Sequence, residues 1–189
     1  MRGLISRLRH DVGGVSAMEF ALILPLLVMF SAGTIEYSRL ILATQKLQSG
    51  AFTLADLTAR YDDDDMDAEL LADIFRAIDQ VIRPFDFAAD GRAILTSIGA
   101  DEDDDPFVQD QCLGAAELDA TSEIGEVGEA ATLPEDLGIV EGETIIAAEV
   151  FFRFEPLFGV GLAPRTIRRV AYFKPRLGDL TTLDCPDEV

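Results

Sequence analysis

Histidine is almost absent from this chain, which carries only His10, ahead of its first apolar run. No histidine-based triad or histidine metal site can therefore form beyond that run. Cysteine is nearly as scarce: Cys112 and Cys185 stand far apart, in neither a CxxC nor a metal-ligand spacing. The pair reads as one long-range disulfide or as two buried thiols, and the disulfide is the expectation because both residues follow the apolar run. Closing a loop of that size is worth up to about 4 kcal/mol in the chain-entropy description. Positive charge is the third shortage, with 15 Lys and Arg against 35 Asp and Glu, a formal net charge of −20. Nucleic acid is excluded as a partner, since a phosphate backbone calls for a clustered cationic surface. Carboxylates are plentiful, yet none lies in a distinctive apolar setting that would tune it for acid–base work. No enzymatic activity, metal or cofactor is expected.

What the sequence does hold is an apolar run, Phe20 to Ile35, bracketed by Glu19 and Glu36. As a helix its sixteen residues cover roughly 24 Å, slightly less than a bilayer's hydrocarbon core. Extension through Leu40-Ile41-Leu42-Ala43 completes the span if Glu36 and Arg39 pair or face other protein. Arg2, Arg7 and Arg9 precede the run and the acidic excess follows it, which predicts a cytoplasmic N-terminus and a translocated C-terminal domain. At 189 residues the chain has room for one ordinary domain beside this anchor. A removable signal peptide is the competing reading, with Phe30-Ser31-Ala32 as a small-residue cleavage site. That reading accounts for the composition but not for Glu19, an acidic residue at the mouth of an apolar helix that is costly to insert unpaired.

Five residues before Glu19 lies Gly14, in the order Arg9-His10-Asp11-Val12-Gly13-Gly14 and then Val15-Ser16-Ala17-Met18-Glu19-Phe20. This arrangement resembles a class III, type IV prepilin signal, in which a membrane peptidase cuts after a glycine at the cytoplasmic face. The resemblance implies that Gly14, Val15, Glu19 and Phe20 form the processing signal and that Val15 becomes the new N-terminus. It further implies that Glu19 docks on a neighbouring subunit's N-terminal amine, a pairing that low dielectric strengthens. Glu19-Phe20-Ala21-Leu22-Ile23-Leu24-Pro25-Leu26-Leu27, followed by Glu36-Tyr37-Ser38-Arg39, is similar to the TadE family of pseudopilins from tight-adherence (Flp) pilus machinery. That likeness implies a minor pseudopilin that helps initiate, anchor or assemble a pilus. It also implies an inner-membrane, single-pass location with a periplasmic C-terminal domain. The implied partners are a prepilin peptidase, other pseudopilins or the major pilin, inner-membrane platform proteins and the lipid bilayer. A signal-anchored periplasmic binding or scaffold domain unrelated to pili is the alternative.

Beyond the apolar run, Tyr37, Leu40, Ile41, Leu47, Ala51, Leu54 and Ala55 recur at helical spacings, so the helix is expected to continue amphipathically to about Arg60. A second helix is expected from Met66 to Ile82, with Leu70, Leu71, Ile74, Phe75, Ile78 and Ile82 on one face and Arg83-Pro84 ending it. Strands are expected at Ala93 to Gly99, Thr144 to Phe154 and Thr166 to Phe173, with surface loops over the acidic stretches 100–110 and 122–143. The runs Asp62 to Asp65 and Asp101 to Asp105 invite a calcium reading. Both lack the loop glycine and the downstream glutamate such a site uses, so they are read as solvated loops. Arg165, Arg168, Arg169, Lys174 and Arg176 form the only basic cluster after the membrane segment, there to balance this chain's own carboxylates or to meet a neighbour's. The expected fold is α+β and pilin-like: a long N-terminal transmembrane and amphipathic helix, a second helix and a small, mainly antiparallel sheet. The expected divisions are a leader over 1–14, the long helix over 15–60 and an exported domain over 61–189.

Overall fold

Apolar side chains decide the first described element, helix α1, Gly13–Thr58. At 46 residues it is about 69 Å long. The computed structural model describes residues 13–114 and 117–186, so Arg2, Arg7, Arg9 and His10 lie outside the described residues. The first half of α1 is apolar all round, as suits a helix surrounded by an apolar medium, and Pro25 lies within it. The second half buries one stripe, with Leu47, Ala51, Leu54 and Ala55 fully inaccessible. Spacing alone assigns Tyr37 and Ile41 to that stripe, yet both are about half exposed. At 3.6 residues per turn Ile41 points about 120° away from Leu47, which carries it off the stripe.

Helix α2, Ala68–Ile82, starts two residues later than its periodicity indicates, because Asp67 caps it by accepting a hydrogen bond from Leu70 N at 2.7 Å. Leu71, Ile74, Phe75, Ile78 and Ile82 form its buried face as the spacing predicts, while Leu70 sits at the margin. A Cβ on Gly50 would come within 3.2 Å of Ile82 Cδ1. That glycine, which costs a helix about 1 kcal/mol against alanine, lets α1 approach α2 closely. A single further turn, α3, Phe87–Asp90, leads into the sheet.

Four strands follow: β1 Gly91–Ala100, β2 Pro106–Leu113, β3 Thr144–Phe154 and β4 Arg165–Phe173. They form one antiparallel sheet in the order β2-β1-β3-β4. The fold is α+β. Strand β2 corrects the loop expected over 100–110, of which only the turn around Asp101 to Asp105 is irregular. Its proline escapes the strand pattern because Pro106 opens an edge strand, where a missing N–H breaks no ladder. Val108 and Cys112 are buried, and the register slips between Ser97 and Ile98.

The central strands β1 and β3 are buried on both faces, so alternation is lost in favour of continuous apolar runs. One face carries Ile98, Val108 and Ile145 and is covered by Ile124, Ala131 and Ile139 from the otherwise irregular stretch 122–143. On the other face Phe52 of α1 meets Phe173 edge-on at 5.8 Å, and Phe85 meets Phe152 at 5.7 Å. Cys112 and Cys185 are joined in a disulfide, with Cα atoms 5.4 Å apart. The chain divides into two compact units: a helical unit of α1 up to Arg39 with the loop Pro156–Ala163, and a sheet unit that begins at Leu40.

Candidate functional site

Helix geometry arranges the residues expected to form the processing signal. Gly14 falls in the first turn of α1, and Val15 and Glu19 are four residues apart, hence one above the other on one face. Val15 and Phe20 are more than half exposed, and Glu19 is exposed too. Among the described residues no cation pairs with Glu19. The helix from Val15 to Thr58 is long and apolar enough to cross a membrane, and its most apolar window buries nothing against the chain itself. A carboxylate is thus carried at the head of an apolar surface, next to the residue that would follow a cut after Gly14.

At the other end of the apolar run, Glu36 is fully buried, against the norm for a carboxylate. Its Oε1 accepts hydrogen bonds from Phe158 N and, at 2.8 Å, from Gly159 N, and its Oε2 accepts one from Val160 N at 2.9 Å. Three successive backbone donors converge on one anion, a concave arrangement that selects negative charge. The loop can do this because Gly159 and Gly161 take φ of 67° and 75°, a region side chains with a Cβ avoid. Val160 lies over Gly33, where a Cβ would come within 3.8 Å of its Cγ1. Phe158 lines an open apolar groove with Leu24, Leu27, Val28, Ser31, Ala32 and Ile35. Of the proviso that Glu36 and Arg39 pair or face other protein, the part that concerns Glu36 is met by this loop. Spacing along α1 gives no hint of such a partner. The available signal is an uncharged run with two glycines, Pro156 to Ala163, in an otherwise acidic chain.

In the sheet unit the only fully buried carboxylate among the described residues is Glu149. It accepts from Ser122 Oγ, from Glu123 N at 3.1 Å and from Arg168, whose Nε and Nη2 approach to 2.7 and 2.6 Å. Three of these contacts fall on Oε1 and one on Oε2, so both oxygens are engaged and the cluster is a structural clamp between β3, β4 and the covering loop. Burial pushes the neighbouring Tyr172 phenol above its ordinary range. Lys174 donates to Glu143 at 2.7 Å, and that hydrogen bond holds the Glu143 carboxyl below the usual glutamate range. Arg176 reaches Asp56 at 2.8 Å. Three members of the basic cluster therefore meet this chain's own carboxylates.

Residues 14–56 match the family model described as TadE-like protein. The resemblance drawn from Glu19 to Leu27 and Glu36 to Arg39 is borne out over that stretch, and it points to involvement in the tight-adherence pilus system. No curated protein and no solved structure matched the chain.

Proposed function

Starting from a TadE-like N-terminal segment, we propose that this chain is a non-enzymatic minor pseudopilin that helps initiate, anchor or assemble a tight-adherence pilus. The observation that carries the reading is Glu19, exposed on an apolar helix five residues after Gly14, with no cation against it among the described residues. In this reading a prepilin peptidase removes the leader 1–14. Residues 15–60 anchor the chain in the inner membrane with its N-terminal end cytoplasmic, and 61–189 stand in the periplasm. Glu19 then meets the Val15 amine of a neighbouring pseudopilin or pilin, each charge relieving the other's desolvation. Loss of the leader takes away three arginines and one aspartate, which deepens the acidic excess by two. A head so charged resists close packing with copies of itself, in keeping with a minor subunit beside platform proteins and a major pilin.

The intact mass of the membrane-extracted chain tests the processing step. A chain beginning at Val15 supports the pilus reading. One beginning at Met1 or after Ala32 rejects it in favour of a signal-anchored scaffold domain. Glu19→Ala is expected to abolish assembly while cleavage continues, and full piliation by that variant would remove the docking role.

A further inference from the structure

Irregular backbone is excluded from the hydrocarbon of a membrane unless its N–H groups find partners there, and a carboxylate is excluded unless something satisfies it. The loop Pro156–Ala163 and Glu36 answer both requirements at once. The loop carries no charge in a chain whose net charge is −20. Its Leu157 and Phe158 are 61% and 58% exposed. Phe158 lies beside Leu27, Ser31 and Ile35, and Val160 lies over Gly33, so the loop reaches to the apolar side of Glu36 and not away from it. The N–H groups of Phe158, Gly159 and Val160 all end on the Glu36 carboxylate. A loop in water needs no such arrangement, because solvent would satisfy those donors and would leave Leu157 and Phe158 disfavoured at its tip.

We propose that Pro156–Ala163 is a second membrane-seated element, lying in the leaflet where α1 leaves the bilayer, with lipid acyl chains covering Leu157 and Phe158. The proposal rests on the reading of α1 as a membrane anchor. Lipid is the occupant because the exposed side chains of the loop continue the exposed apolar surface of Phe20 to Ile35, which a spanning helix presents to acyl chains. Glu36 is the positioning residue: it holds the loop against the helix and satisfies its donors at a depth where water cannot.

The chain contains no tryptophan, so one introduced residue is a clean reporter. The full chain is reconstituted in vesicles of phosphatidylethanolamine and phosphatidylglycerol doped with phosphatidylcholine brominated on one acyl chain. Four variants are compared: Phe158→Trp, Leu157→Trp, Phe30→Trp in the helix and Val127→Trp on an exposed loop of the sheet unit. Emission of the two loop variants is expected to be blue-shifted and severalfold quenched by brominated lipid, with little response to acrylamide in the water. Val127→Trp should behave in the opposite way. If Phe30→Trp is lipid-quenched while both loop variants respond only to acrylamide, the proposal is overturned and the anchor stands. If Phe30→Trp also escapes the lipid quencher, the anchor reading itself has failed and the proposal falls with it. If the loop variants are shielded from both quenchers until excess lipid dilutes the protein, a second copy of the chain covers the loop and the lipid assignment is wrong. Adding Glu36→Ala to Phe158→Trp should raise acrylamide access severalfold while leaving Phe30→Trp in its own chain unchanged; unaltered access would remove the positioning role of Glu36.

Discussion

Along α1 the same residue types have opposite surroundings. Leu22 and Phe30 are 79% and 68% exposed, whereas Leu47 and Leu54 are fully buried. Among the described residues the chain supplies apolar cover for the downstream half, while most apolar side chains of the upstream half stay exposed. At about 25 cal/mol for each Å² of apolar surface, leaving the upstream half in water is heavily unfavourable, so its sequence is written for a medium the protein does not contain. Folding and anchoring are therefore separable demands placed on one helix, and substitutions can strike either alone.

The sharpest break in that comparison comes from Leu54→Asp, which places an unpaired carboxylate in the core of the sheet unit. It should cost about 4 kcal/mol or more and abolish the cooperative melt of the detergent-purified chain, with membrane retention unchanged. Replacing both cysteines, Cys112→Ser with Cys185→Ser, releases a link between residues 73 apart and should lower stability by up to about 4 kcal/mol in denaturant titration, again without effect on retention. Leu27→Arg acts on the other half. It adds about 3 kcal/mol to the insertion of α1, so the membrane fraction should fall while the melt of the sheet unit stays in place. If Leu27→Arg lowers the melt and Leu54→Asp lowers retention, the two halves are not separable.

The smallest effect concerns the ion pair of Lys174 with Glu143. The folded Glu143 carboxyl lies below its ordinary range because Lys174 hydrogen-bonds the charged form. Its contribution is therefore complete above that ordinary range and is lost as pH falls through the lower folded value. Lys174→Met should lower Tm slightly at neutral pH, and the gap from the parent chain should close once the medium is acid enough to protonate the folded carboxyl.

Features built from neighbouring residues are legible in the sequence, and features built from distant ones are not. Helix α1 announces itself through contiguous residues, and the stretch that resembles TadE is the stretch the family match covers. Strands β1, β3 and β4 follow from β-branched and aromatic runs to within two residues at either end. Strand β2 is hidden because Asp101 to Asp105 and Pro106 carry the composition of a loop, and only its partner β1 turns Val108 and Cys112 inward. The covering role of Ile124, Ala131 and Ile139 is hidden in the same way, by acidic neighbours. Glu36 shows itself as half of a family element, while the donors it meets lie 122 to 124 residues further on. No periodicity spans such a separation.

A grip made by main-chain N–H groups is blind to the side chains that flank it. The loop around Phe158 should therefore show an inverted tolerance to substitution. Exchanges among Leu, Ile, Val and Phe at its tip leave the three donors in place. Proline at 158 or 160 deletes one, and any Cβ at 159 or 161 opposes the backbone angles that bring the three together. In a gene library, that loop would be recognised less by what its side chains are than by where glycine stays and proline never enters.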